Sequence, residues 1–297
     1  FNMADQLFSM ASPYGQILQV TTQLYQLSIL YLKNAIRQFD MSDVTSNNQK
    51  IIRSNAIVAG HNPSRSISST GVLKYTLRAG TNAQNDIAGG KITFFNKTLI
   101  RNKTNNLDYI IDLGGADQVT YNIDNGSKFY MNLTQGKYSQ TTFTGTGDIN
   151  QTCQVNIDGN KEIENFNVEV SVNGESWDIK NQLFEMLSDE NACVIRTAFN
   201  GGIDIIFGNG NFGKVPLLGS IITVNYLVTD GSNGNIYRRT VNDWTFIDDV
   251  IDGFGISIDL SNFFDISISA DINFGADGES TQFTKNVLPI NSNNFVL

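Results

Sequence analysis

Two hydrophobic periods divide the chain. Over residues 12–40, Tyr14, Ile17, Leu18, Leu24, Tyr25, Leu27, Leu30, Tyr31 and Ile36 recur at three- and four-residue spacing, with no Gly after Gly15 and no Pro after Pro13. That spacing predicts one long helix with a wide apolar stripe. Its polar positions are mostly Gln, Thr and Ser rather than Lys or Glu, so much of its circumference suits contact with protein. A second helix is predicted over residues 48–59, carrying Ile51, Ile52, Ile57 and Val58 and stopped by Gly60, with Pro63 beyond. Two readings of the pair stay open. Either the helices pack on each other as ordinary core, or their apolar surface is covered by another chain, because a helical pair of this size is marginal alone.

After Ser64 the period changes to two. Residues 73–77, 91–95, 109–113, 166–172, 221–228 and 264–272 alternate, or run as β-branched and aromatic residues, between turns rich in Gly, Asn and Asp. One further short helix is predicted over residues 180–187. The expected class is therefore α+β and mainly β. The expected order is an N-terminal helical hairpin (1–63), two mostly antiparallel β subdomains (64–155 and 156–275), and a linker (276–297) towards a helical C-terminal domain lying outside the sequence. Phe1 is too bulky to be expected after removal of an initiator Met, so the sequence is read as a section of a longer polypeptide.

Composition narrows the chemistry. The 297 residues suffice for a sizeable core, and two cysteines, Cys153 and Cys193, are too few for a disulfide scaffold or a four-ligand zinc site. One histidine, His61, removes most histidine-based metal sites, and its place at a helix end suggests a boundary role. A net charge of −9 argues against nucleic acid as a partner. No run of about 18 apolar residues is present to span a membrane, and the first residues lack the pattern of a signal peptide. From residue 241 onward nine carboxylates face Lys285 alone, so nearly the whole net charge lies in the last fifth. That segment reads as solvated surface, or as an acidic face for a basic partner.

The densest local motif is residues 203–216, IDIIFGNGNFGKVP. Gly208, Gly210 and Gly213 spell a dinucleotide fingerprint, yet Pro216, Gly219 and a strand follow where a phosphate-binding helix is required. The same residues miss a P-loop by one position, since Val215 replaces the hydroxyl that would hold Mg²⁺. A kinase loop would need His-Arg-Asp and Asp-Phe-Gly; His61 precedes Asn62, and the nearest approach to the second motif is residues 252–255, DGFG. Neither a catalytic set nor a cofactor is expected, and the glycines read as a tight connection between strands.

Residues 204–216, then Gly219, residues 226–231 (YLVTDG), and Gly234 with Asn235 resemble the signature block of phage baseplate wedge proteins of the baseplate-J class. Upstream, residues 168–177 (VEVSVNGESW) resemble the strand and tryptophan preceding that block. Downstream, residues 275–280 (GADGES) and Leu288-Pro289 are similar to its link into a helical domain, and residues 56–60 (AIVAG) fit its helical start. The resemblance implies a virion component of a contractile tail, assembled in the host cytoplasm. Such a subunit touches other copies of itself and neighbouring wedge, hub or sheath-initiator proteins, and transmits the rearrangement that releases sheath contraction. It marks Phe207, Gly208, Gly210, Gly213, Pro216, Gly219, Tyr226, Gly234, Asn235 and Trp177 as structural motif residues. The apolar stripe adds Leu18, Leu24, Leu27 and Tyr31 as expected interface residues. A β-rich adhesin or glycan-binding module is the alternative, using exposed Asn, Asp and aromatic residues.

Overall fold

A computed structural model describes residues 12–39, 49–78, 86–124, 127–157, 161–198, 201–238 and 243–293. The chain is mainly β and divides into two compact units, residues 1–61 with 281–297, and residues 62–280.

In the first unit, α1 spans Pro13–Phe39 and α2 spans Gln49–Val58, close to the predicted bounds. Ser12 caps α1 through Oγ, which accepts from the Gly15 amide at 3.0 Å, with Pro13 at the first helical position. Gly60, at φ +78°, closes α2: its amide donates to Ile57 and that of His61 to Ala56, the paired bonds of a Schellman motif. His61 thus ends the helix through its backbone, the boundary role expected of it. A third helix, α3 (Thr281–Asn293), occupies the stretch expected to be a linker. It is α3 that packs against α2, burying Ile52 and Ala56 on one helix and Thr284 on the other, where pairing of α1 with α2 was expected. Among the described residues no helix is long and apolar enough to cross a membrane.

The second unit holds two β sandwiches. Strands β1 (Thr70–Leu77), β3 (Leu99–Asn102), β4 (Leu107–Asp112), β6 (Lys128–Gln135), β14 (Trp244–Phe246) and β17 (Phe264–Ile268) form one sheet, in the order β14-β3-β4-β6-β1-β17. A four-stranded sheet covers it: β16 (Ser257–Ile258), β15 (Val250–Asp252), β2 (Lys91–Phe95) and β5 (Gln118–Asn122). Between them lies an aromatic core in which Tyr75 stacks on Phe129 at 4.9 Å, with Phe94, Tyr121 and Phe264 around it.

The second sandwich comes from β7 (Lys137–Thr144) to β13 (Ile221–Thr229) through β8 (Thr152–Val155), β9 (Glu162–Val172), β10 (Glu175–Lys180), β11 (Ala192–Thr197) and β12 (Ile203–Phe207). Its order is β7-β13-β9-β10-β11-β12-β8, antiparallel except where β10 meets β11. Val170, Val224 and Trp177 share one core with Ile205, Phe207 and Cys193, so the sheet folds over at that parallel seam.

Two expectations need correction. Strands β14 to β17 were assigned to the second β subdomain but pair with β1, β2 and β3, so the second sandwich is an insertion between β6 and β14. Alternation identifies strands and their buried faces but says nothing of which strand they pair with. The helix expected over residues 180–187 is a single 3₁₀ turn, Leu183–Glu185. Strand β10 continues to Lys180, where it pairs with Val194, so the chain is still extended where the helix was expected to begin.

Candidate interaction surfaces and the glycine block

The glycine block closes the end of the second sandwich. Strand β12 ends at Phe207, whose ring meets Trp177 edge-on at 5.2 Å in the core. The loop then turns on itself. The Asn209 amide donates to Phe212 O and that of Gly210 to Gly213 O, while Asn209 Oδ1 accepts from the amides of Asn211 and Phe212. The Gly213 amide reaches Leu187 O and that of Lys214 reaches Glu190 O. Every amide from 209 to 214 is therefore spent within the protein, and none is left to cradle a phosphate. Gly213 has φ +72° and lies so close to Met186 Sδ that a Cβ there would stand 2.7 Å from it. Pro216 is buried, and Gly219, at φ +81°, donates to Gly145 O. Tyr226 lies in the same core with its hydroxyl 3.0 Å from Thr141 Oγ1.

Gly234 and Asn235 belong to a different place, the passage back to the first sandwich. The chain enters the second sandwich from β6 through Gly136 alone and returns after β13 through the 3₁₀ turn Gly231–Gly234. Gln135 joins the two crossings. Its side chain is fully buried, its Oε1 accepts from Thr229 Oγ1 and the Asp230 amide, and its Nε2 donates to Asp230 Oδ2 at 2.9 Å. Gly234 leaves no room for a Cβ against Gln135 and Ser69, and its carbonyl accepts from Tyr109 Oη at 3.0 Å. Asn235 exchanges two hydrogen bonds with the backbone of Gly275. The structure thus separates residues that the sequence motif runs together: Phe207 to Gly219 brace a loop end, whereas Gly234 and Asn235 brace a joint. Gln135 itself was missed, since one Gln at the end of an alternating strand carries no signal of its own.

The expected interface residues on α1 are exposed. Leu18, Leu24, Leu27 and Tyr31 are 47–66 % accessible, and Tyr25, Ile29, Leu30 and Leu32 around them are exposed as well. Seven of the nine residues from 24 to 32 are apolar, so at 100° per residue they cover the helix on nearly all sides. A second apolar surface, not anticipated, lies on the glycine-block end of the second sandwich: Ile149, Leu187, Phe212, Leu217, Leu218 and Ile221 are all exposed there. Leu217 and Leu218 directly after Pro216 were its signal in the sequence, because adjacent leucines in a glycine-rich loop have no buried face to fill.

The acidic segment is more occupied than its charge suggests. Asp248 accepts from the Leu99 amide at 2.7 Å, and Asp252, buried, accepts from the amides of Phe254 and Ile256. Asp259 caps a 3₁₀ turn, Asp271 takes the Arg238 amide, and Asp277 takes the amide and hydroxyl of Ser232. Asp243 and Asp265 pair with Lys103 and Arg78. Strands β14 to β16 are two or three residues long and offer few ladder bonds, so Asp side chains supply the missing acceptors. Charge reversal at Asp248 and Asp249 is thus a change to the fold as well as to the surface.

Both thiols are buried and unpaired with each other, and burial pushes Cys193 up to about 12. No protein-family model and no curated protein matches the chain, so the resemblance to the baseplate-J class stands on the residues quoted for it.

Proposed function

We propose that this chain is a wedge or inner-ring subunit of a contractile phage tail baseplate, of the baseplate-J class, held in the virion by protein contacts alone. The observation that carries the reading is α1. A helix of 27 residues, about 40 Å long, exposes large apolar side chains on nearly all sides and has Lys33 as its one charge over residues 13–36. A helix of that kind is stable in water only when surrounded. Its partners are other copies of the chain and neighbouring wedge, hub or sheath-initiator proteins. The two braced sandwiches act as a spacer between such contacts, and the energy of rearrangement lies in interfaces with two alternative packings rather than in a chemical step. The glycine block supports a structural role, because its amides are consumed internally.

Leu24→Asp with Leu27→Asp tests the reading. Each leucine at the centre of an interface contributes on the hot-spot scale of about 2 kcal/mol, so the pair should weaken association at least about a hundredfold. A tagged wild-type chain should enter sedimenting tail particles, and the double variant should stay in the supernatant with an unchanged β circular dichroism spectrum. Equal incorporation of the two would remove α1 as the contact.

A further inference from the structure

Along the seam of the two sandwiches runs a groove of about 460 Å³, within the size of a small-ligand site. Its first-sandwich wall carries Ser68, Lys97 and Asp112, and its second-sandwich wall carries Tyr138, Glu164 and Glu169.

The second wall is a built feature. Strand β9 shifts register against β13 between Tyr226 and Val228, so that residues 164–167 bulge out of the ladder. Buried Glu164 holds the bulge open, its Oε2 accepting from the amides of Phe166 and Asn167 at 2.6 Å. Arg65, buried behind the bulge, donates to Asn165 O at 2.8 Å. Phe166 is left standing at the rim, 72 % exposed.

The opposite wall holds two local anomalies. Ser68 is 4 % exposed and its hydroxyl has no hydrogen bond. Ser68 and Thr70 both line the groove, whereas Ser69 lies against Gly234 and Gly275. Lys97 sits at φ +65°, a strained conformation for a residue with a side chain, and places its ammonium 4.0 Å from the centre of the Tyr138 ring. Asp112 and Glu169 are exposed and have no ion-pair partner among the described residues. Burial first, and then the charges of Glu169, Asp112 and Glu164, push the Tyr138 hydroxyl up, so the three carboxylates act on one place.

From this arrangement we infer that the groove takes the guanidinium of an arginine side chain presented by a partner protein. Three carboxylates against one ammonium leave the groove with an excess of negative charge and of acceptor oxygens, and a guanidinium offers five donors and no acceptor. The exposed Phe166 ring gives a planar cation a face to stack on, and half-buried Ile67 offers apolar surface to the three-carbon stem. Free arginine brings a carboxylate that the groove's own carboxylates repel, and a polyamine has no planar group.

Titration calorimetry with an acetylated, amidated tri-arginine peptide at about 50 mM salt tests the assignment, with spermidine as the competing cation. Asp112→Asn with Glu169→Gln should weaken the peptide about tenfold or more, because charge-assisted hydrogen bonds are lost. Lys97→Gly should strengthen it by clearing the Tyr138 ring. Asp124→Asn with Asp189→Asn, exposed carboxylates away from the groove, should leave it unchanged. No peptide binding, equal loss in the control pair, or tighter binding of spermidine than of the peptide would each overturn the assignment.

Discussion

Gly208→Ala should destabilise the second sandwich by about 3 kcal/mol, whereas Gly210→Ala, two positions away in the same motif, should cost about 1 kcal/mol. A Cβ on Gly208 collides with the backbone carbonyls of Phe212 and Gly213, atoms that cannot swing aside as a side-chain end can. A Cβ on Gly210 meets nothing, and its penalty is only that of φ +87°. A phosphate-binding loop would rank the two by their distance from the ligand; a strand-end brace ranks them by packing. Urea unfolding followed by Trp177 fluorescence, with Trp244→Phe to silence the other indole, separates these cases. Trp244 suits removal because its buried ring nitrogen has no hydrogen bond to lose. The Gly208 variant should unfold about 1 M or more earlier in urea. Equal midpoints for the two variants would remove the steric account.

Gln135→Leu should cost about 3 kcal/mol and split one unfolding transition into two. Leucine fills similar space but leaves the Thr229 hydroxyl proton and the Asp230 amide without an acceptor, while Asp230 Oδ2 keeps Lys161 alone, and each unpaired buried group costs about 1–3 kcal/mol. Those three groups stand where the chain returns from the second sandwich, and Gln135 ends the strand from which it enters. The side chain thus couples two cores that each contain one tryptophan, Trp244 in the first and Trp177 in the second. With each indole read alone, the wild type should give coincident midpoints and Gln135→Leu separated ones. Coincident midpoints in the variant would mean that other contacts along the seam hold the sandwiches together.

Local rules made much of the secondary structure legible. Ser12-Pro13 and Gly60 fixed helix ends because capping is decided by neighbours in sequence, and period two marked β2 and β13 within a residue. Topology was less legible. The sandwich boundary was misplaced because β14 to β17 return to two sheets begun more than 150 residues earlier, pairings that no local pattern encodes. The partner of α2 was missed for the same reason, since α3 lies at the far end of the chain. In the candidate surfaces, sequence found the apolar helix, where exposure follows from composition alone. It could not find the groove, whose walls draw on stretches scattered between residues 67 and 169, or Gln135, whose importance lies in what it is buried against. The acidic segment shows the converse: the charge was read correctly, but its use, as acceptors for short strands, depended on the fold.

As a proposed baseplate subunit, the chain should sit in the tail and be held there by its partners. Gold labelling of a tagged chain in electron micrographs of contractile-tail particles locates it. Gold is expected at the distal end of the tail, where tube and sheath begin, in both extended and contracted particles. Gold on tail fibres or capsid, or particles that carry none, would contradict it.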